Sequence, residues 1–318
     1  MSISVLGAGA FGTSLALSLA QTGMSVTLWC RNQEQARQMA ETRETGPRLP
    51  GHTLPEGIHI TAEPTAFQAD VCLIAVPSQQ LSGFLKTLPK SASALIACCK
   101  GIDRATGLGP VSTIAMAHPD ATAAILTGPS FAADIARGLP TALVLACQNA
   151  EEAARLQSQL TRPTLRIYRT TDVIGAELGG ALKNVIALAA GMTIGAGLGD
   201  SARASVMARG FSELQRFAVA KGARTETLQG LSGLGDLFLT ATSEKSRNFT
   251  AGIAFGKGLP PDPGATIEGI ATAPAVSAEA ASLGLQLPLI SAVSHVASGA
   301  LDIASAVETL MARPVGKE

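Results

Sequence analysis

Short apolar or β-branched runs recur through the first half of the chain, at residues 2–6, 24–29, 70–76, 93–98, 122–126 and 141–146, most of them bounded by Gly, Pro, Asp or Ser. Runs of this length without polar alternation suit strands covered on both faces, so they predict buried parallel strands. Between several of them, residues 11–21, 33–42 and 150–160 carry helical spacing. Alternating β and α elements predict a doubly wound sheet. From about residue 172 long helical segments take over, at 173–193, 201–221, 268–283 and 289–298, with no strand-like run among them. The expected fold class is therefore α/β, with a doubly wound sheet over residues 1–168 followed by an all-α C-terminal domain over residues 169–318. The break at Pro163 places the boundary between Arg162 and Asp172, and the Pro-rich stretch 259–264 reads as a loop.

The first strand runs straight into Gly7-Ala8-Gly9-Ala10-Phe11-Gly12, a G-x-G-x-x-G spacing. In a Rossmann-type turn the first glycine permits the tight bend, the second lets the backbone approach a pyrophosphate, and the third lets helix and strand pack closely. The helix N-terminus then offers unpaired N–H groups to the phosphates. Gly7, Gly9 and Gly12 thus predict a bound dinucleotide. Strand two ends Leu28-Trp29-Cys30-Arg31-Asn32, with no acid where NAD would place its ribose 2′-hydroxyl. Arg31 offers a guanidinium suited to a 2′-phosphate, so NADP is the favoured cofactor and NAD the second option. Arg37 could do the same work.

Composition narrows the classes. The chain has 24 Lys+Arg against 24 Asp+Glu, which removes any global electrostatic case for nucleic acid or an anionic membrane surface. Five cysteines without a C-x-x-C pair argue against a disulfide framework and for a reducing cytoplasm. The histidines, at 52, 59, 118 and 295, have no metal-ligand spacing, so no metal is expected. Residues 1–20 carry no charge, but they lack a basic n-region, and their glycines fit a strand-turn-helix better than a secretory segment. The greasiest stretch, Val185 to Leu198, contains Gly191, Gly195 and Gly197, which are expected to break it, so no membrane insertion is predicted. The apolar, Ala-rich helical half suggests a homodimer.

Strand ends supply the next candidates, because ligands of open α/β sheets bind at carboxyl ends of strands. Lys100 stands where the run 93–98 stops and is followed by Gly101. After residues 122–126 comes Thr127-Gly128-Pro129-Ser130-Phe131-Ala132, where Pro129 suits a first helical turn and Ser130 can bond a ligand. In the helical half, Lys183 and Asn184 lie inside an otherwise apolar helix. A lysine deprived of hydration moves toward neutrality and becomes usable as an acid or base. Gly230-Leu231-Ser232-Gly233-Leu234-Gly235-Asp236 reads as a glycine-rich turn bearing one carboxylate. Ser246-Arg247-Asn248 combines a hydroxyl, a forked cation and an amide, a set able to hold a substrate phosphate.

Taken together, GAGAFGT at 7–13, AVPS at 75–78, CKGI at 99–102, GPSFA at 128–132, LKNVIA at 182–187, GLGDL at 233–237, SRN at 246–248 and EG at 268–269 resemble the bacterial NAD(P)-dependent glycerol-3-phosphate dehydrogenase family over nearly the whole chain. The resemblance implies reversible reduction of dihydroxyacetone phosphate to sn-glycerol 3-phosphate, the glycerophospholipid precursor. It implies Lys183 as the proton-transfer residue, with Lys100, Gly128, Ser130, Asp236, Ser246, Arg247 and Asn248 on the substrate. Around the cofactor it implies Ala10, Phe11, Arg31, Ala132, Thr266 and Glu268, joined by Lys100 and Arg247. Many relatives carry Ser followed by Trp or Tyr where this chain has Ala10-Phe11, so pyrophosphate contacts here fall to backbone N–H groups. Two other readings stand beside this one: a related β-hydroxyacid-type dehydrogenase with another anionic substrate, and an NADPH-sensing protein without turnover.

Overall fold

The computed structural model describes residues 2–90, 94–103 and 105–312. Two compact units divide between Glu177 and Leu178. In the first lie strands β1 (Ile3–Leu6), β2 (Val26–Trp29), β3 (Ile58–Thr61), β4 (Val71–Ile74), β5 (Ala94–Ala97), β6 (Thr122–Thr127), β7 (Thr141–Cys147) and β8 (Leu165–Thr170). Among the described residues they form one sheet of order β3-β2-β1-β4-β5-β6-β7-β8. Helices α1 (Ala10–Ala20), α2 (Gln33–Thr42), α3 (Ser78–Leu85), α4 (Pro110–Ala117), α5 (Ala132–Ala136) and α6 (Ala150–Leu160) connect them, and α7 (Val173–Gly195) follows. The sheet order reverses at β1, which pairs with β2 on one side and β4 on the other. That reversal is the position where open α/β sheets receive ligands.

The central strands are mostly apolar or β-branched because both faces are covered. Ile3, Val5, Leu28, Leu73, Ile96 and Leu126 pack with Leu15 and Leu19 of α1 and Leu156 of α6. The alternate residues Leu6, Trp29, Cys72, Ile74, Leu95 and Ile125 pack with Leu81 and Leu85 of α3 and Ile114 of α4. Period-two side chains thus feed two cores from one strand.

Two expectations need correction. The strand at 141–146 is not parallel to its predecessor: β7 runs antiparallel to β6, with Thr127 opposite Val144 and Ala124 opposite Cys147. The intervening helix α5 has five residues, about 7.5 Å of rise. That is too short to carry the chain back along a strand for a parallel crossover. The sheet also has two strands, β3 and β8, that the apolar runs did not announce. Both are edge strands with alternating exposure, Ile58 and Ile60 buried against exposed His59, and Leu165 and Ile167 buried against exposed Arg166 and Tyr168. Half-covered strands need no continuous apolar run.

One carboxylate in this unit is built into a helix terminus. Helix α4 begins at Pro110 behind Gly109, whose lack of a side chain leaves the terminal N–H groups uncapped. Glu177 supplies the cap: its Oε1 accepts the Val111 N–H at 2.6 Å. A Cβ on Gly109 would lie 2.1 Å from Glu177 Oε2, so the glycine admits the carboxylate. Burial pushes the Glu177 carboxyl up to about 7, against the smaller lowering effect of the Val111 bond. A folded-state value above the unfolded 4.5 means the native state holds the proton more tightly. Its contribution is therefore fully present below about pH 4.5 and is lost as pH rises through about 7. In urea titrations across that window, the stability difference between wild type and Glu177→Gln is expected to drift by at most about 3 kcal/mol in the variant's favour as pH rises. A pH-independent difference would refute the assignment.

The second unit is helical throughout its described residues. After α7 come α8 (Gly199–Ala220), α9 (Thr225–Gln229), a π-helical turn over Leu231–Gly235, α10 (Asp236–Ala241), α11 (Arg247–Gly256), α12 (Glu268–Ser282), α13 (Pro288–Ala297) and α14 (Ile303–Met311). Glu213 of α8 repeats the Glu177 device, accepting the Leu289 and Ile290 N–H groups at 2.8 and 3.0 Å at the start of α13.

Gly191 does not break α7, contrary to the sequence expectation, whereas the helix ends at Gly195 and Gly197, with φ +72°, lies in the turn before α8. Gly191 lies inside the helix and Gly195 is its last residue, four residues apart on one face, and α11 carries Gly252 and its last residue Gly256 at the same spacing. A Cβ on Gly191 would stand 2.1 Å from the Phe249 carbonyl oxygen, one on Gly195 2.2 Å from that of Ile253, and one on Gly252 2.2 Å from that of Leu188. The two backbones are therefore in direct contact. By length and composition α7 could cross a bilayer, but 89% of its most apolar window is buried inside the protein, the state of a core helix.

Candidate active site

In the first unit the three fingerprint glycines divide their work as the spacing predicts. Gly7 has φ +124°, and a Cβ there would lie 2.6 Å from the Ala75 carbonyl oxygen at the end of β4. A Cβ on Gly12 would lie 2.0 Å from the Gly7 carbonyl oxygen. A Cβ on Gly9 would meet no neighbouring atom within 4 Å among the described residues. The first and third glycines are thus required by the protein itself, while the second borders open space at the start of α1. Gly9 is the N-cap of α1 and brings no side-chain acceptor, and the first turn, Ala10, Phe11 and Gly12, brings no acid. Free N–H groups at a helix end with no competing carboxylate fit a pyrophosphate. These residues fit a dinucleotide. Gly9→Ala is expected to leave the melting temperature within about 1 °C of wild type while weakening NADPH binding, measured by fluorescence titration. Unchanged affinity would argue against a phosphate at this turn.

Arg31 follows β2 and is exposed, its Nη1 donating to Gln80 Oε1 at 3.4 Å. Asn32 is committed to capping α2, accepting the Gln35 N–H at 2.9 Å. Arg37 faces the same open groove as Arg31 but is paired with Glu34 and Glu41 at 2.6 and 2.9 Å. Of the two arginines, Arg31 has no carboxylate among the described residues to give up, which favours it for a 2′-phosphate.

A second cluster sits where β5 and β6 end. Lys100 Nζ donates to the Gly128 carbonyl at 3.1 Å, and Ser130 Oγ donates to the same oxygen at 3.2 Å. Gly128 has φ +130°, which aims that carbonyl at both donors and explains the glycine. Pro129 does not open a helix as the sequence suggests; α5 starts only at Ala132, behind Phe131. The structure therefore brings Lys100, Gly128 and Ser130 together, with Ala132 at the following helix start.

In the second unit Lys183 is buried, 8% exposed at its side chain, against Asp236 at 1%. Its Nζ donates to Asp236 Oδ1 at 2.5 Å and to Thr240 Oγ1 at 2.8 Å. The lysine is thus not an isolated buried ammonium, as the sequence pictured it, but arrives with its own counter-ion. The stretch read as a glycine-rich turn is the π-helical turn Leu231–Gly235. A Cβ on Gly233 would lie 2.0 Å from the Leu228 carbonyl oxygen, so the glycine serves packing. Asp236 then opens α10 with its carboxylate on the lysine.

Asn184, next to the lysine on α7, organises a polar chain. Its Nδ2 donates to Glu268 Oε2 at 2.7 Å, its Oδ1 accepts Asn248 Nδ2 at 3.1 Å, and Asn248 Oδ1 accepts the Gly269 N–H at 2.8 Å. Every amide orientation is fixed by these partners. Ser246 caps α11, accepting the Phe249 N–H at 3.3 Å. Arg247 is 59% exposed at its side chain, with Nη2 3.9 Å from Glu268 Oε1. The Ser-Arg-Asn trio is therefore not a ready-made anion cup. Ser246 and Asn248 hold the local fold, and Arg247 projects from it. Thr266 is exposed in the loop before α12.

One participant, Thr240, and the partners of another, Asn184, escaped the sequence reading. Thr240 touches Lys183 because it lies one helical turn beyond Asp236. Asn184 was conspicuous as a buried amide, yet its partners lie 64 and 84 residues away, beyond any local pattern.

Comparison with known proteins bears on both units. The sequence model described as NAD-dependent glycerol-3-phosphate dehydrogenase N-terminus matches residues 2–153, and the one described as its C-terminus matches residues 172–308. Glycerol-3-phosphate dehydrogenase [NAD(P)+] of Paracoccus denitrificans is 55% identical over 320 residues, and that of Ruegeria sp. 53% identical over 321, each covering 100% of both chains. The crystal structure of glycerol-3-phosphate dehydrogenase from Coxiella burnetii superposes with a TM-score of 0.90 at 32% identity, covering 98% of this chain and 99% of that one.

Proposed function

The chain belongs to the NAD-dependent glycerol-3-phosphate dehydrogenase family, and from that premise we propose that it catalyses the reversible NAD(P)H-dependent reduction of dihydroxyacetone phosphate to sn-glycerol 3-phosphate, with Lys183 as the acid–base residue. The observation that carries the chemistry is the buried Lys183–Asp236 pair, 2.5 Å apart. A sensor that binds a dinucleotide without turnover has no use for a positioned, desolvated proton donor.

When bound, the nicotinamide cofactor supplies or accepts the hydride. In the reductive direction Lys183 Nζ gives a proton to the oxygen forming on substrate C2, and in the oxidative direction it takes that proton back. Asp236 and Thr240 hold Nζ in place, so the ammonium need not search for its orientation. Arg247 binds the substrate phosphate with a forked, permanently charged group, and Asn248 and Ser246 anchor the start of the helix that carries it. Lys100 and Ser130, gathered on the Gly128 carbonyl, add polar contacts to the substrate, with Lys100 and Arg247 also reaching the cofactor. Ala132, Thr266 and Glu268 complete the cofactor shell together with the fingerprint turn, and Arg31 tilts the preference to NADP.

Oxidation of NADPH, followed at the nicotinamide absorbance band with and without dihydroxyacetone phosphate, tests the reading. Substrate-dependent oxidation is expected, with higher kcat/KM for NADPH than for NADH, and its absence would sink the assignment. Arg247→Ala is expected to raise the substrate KM by about tenfold or more, the worth of a charge-assisted hydrogen bond. An unchanged KM would favour a β-hydroxyacid substrate without phosphate.

The five cysteines are buried and form no disulfide among the described residues, which suits a reducing cytoplasm. The helical unit exposes Phe238, Leu259 and Val219 at 54, 56 and 46%, in keeping with a homodimer. Gel filtration giving only monomer would refute that.

A further inference from the structure

Among the described residues of the first unit, Arg162 carries a guanidinium whose burial the proposed reaction does not explain. Arg162, in the short link between α6 and β8, is 8% exposed. Its Nε donates to the Leu19 carbonyl at 3.4 Å, its Nη1 to that of Thr161 at 2.6 Å, and its Nη2 contacts Met24 Sδ at 2.9 Å. These are neutral acceptors, and among the described residues Arg162 makes no ion pair. Leu19 belongs to the last turn of α1 and Thr161 is the C-cap of α6, so two helix dipoles offset part of the charge. Burial pulls the Arg162 guanidinium below the usual arginine range with no charged neighbour opposing it. A full charge in this state calls for an anion.

The space beside it is lined by a second arginine. Gln157, Thr161, Arg162, Pro163, Arg166 and Ile167 line an open cavity of about 530 Å³. Arg166 brings a second cation, its guanidinium 5.8 Å above the Tyr168 ring. The Gln157 amide is already used at both ends, donating to the Ile167 carbonyl and accepting from Arg169 Nη1, each at 2.8 Å. The Thr161 hydroxyl donates to the Gln157 carbonyl at 2.8 Å. What remains to meet a ligand is the unused N–H groups of two arginines, which together match a dianion. We propose that Arg162 and Arg166 form a second oxyanion site, for a phosphate that is either free or carried by a small ester. None of its residues belongs to the cofactor or substrate set.

The test uses full-length protein carrying Arg247→Ala, which weakens phosphate binding at the proposed substrate position. Thermal unfolding is followed in sodium chloride and in inorganic phosphate at matched ionic strength, then in phenyl phosphate. Phosphate at ten times its dissociation constant is expected to raise Tm by about 2–4 °C, and adding the surface substitution Arg166→Ala should abolish most of that rise. A larger Arg166-dependent rise with phenyl phosphate assigns the site to an ester, and an equal one assigns it to free phosphate. No rise, or the same rise with and without Arg166, overturns the proposal.

Discussion

Lys183→Ala is expected to cut kcat by on the order of 10²–10⁴, the usual worth of a positioned acid–base group, while NADPH affinity stays near that of wild type. Single-turnover kinetics and a fluorescence titration measure the two quantities separately. Near-normal turnover would remove the lysine from the chemistry. The same substitution has a structural cost, because it leaves the Asp236 carboxylate, 1% exposed, without its counter-ion. Breaking a buried pair in this way costs about 3–5 kcal/mol, so the assay belongs at low temperature, where the variant is folded. Replacing both partners with apolar residues of similar size, Lys183→Met with Asp236→Leu, should recover most of the stability and none of the activity. A double variant as unstable in urea as the single one would show that the pair is not the source of the loss.

The second large effect concerns folding alone. Gly191→Ala should destabilise the protein by about 3 kcal/mol or more, and Gly191→Val should prevent the helical unit from folding. The added Cβ would sit 2.1 Å from the Phe249 carbonyl oxygen, and a backbone cannot yield as a flexible side chain can. Gly252→Ala meets the Leu188 carbonyl from the other helix at 2.2 Å and should cost about as much. Glycines that open space surrounds, such as Gly197 and Gly258, have no such clash. Both adopt positive φ, however, so alanine there carries only the conformational penalty, about 1 kcal/mol. Equal losses at Gly191 and Gly258 in denaturant titrations would argue against the close crossing of α7 and α11.

Much of this protein was legible in its sequence. A strand buried on both faces is mostly apolar or β-branched, so β1, β2, β4, β5, β6 and β7 could be found from runs of such residues. The fingerprint glycines were readable because each obeys a local backbone requirement at fixed spacing. Lys183 stood out because an ionic group in an apolar helix is unfavourable without a purpose. Tertiary structure decided the rest. Edge strands β3 and β8 lack the apolar run because one face meets solvent, and the direction of β7 followed from the length of α5. Gly191 read as a break although α7 runs through it and α11 lies against it, since the sequence of one helix does not reveal what its neighbour requires. Lys183 acquired a counter-ion, and Asn184 its partners, only when residues more than fifty positions away were brought beside them. Periodicity and local geometry are written in consecutive residues, whereas charge balance and close packing depend on what the fold places opposite.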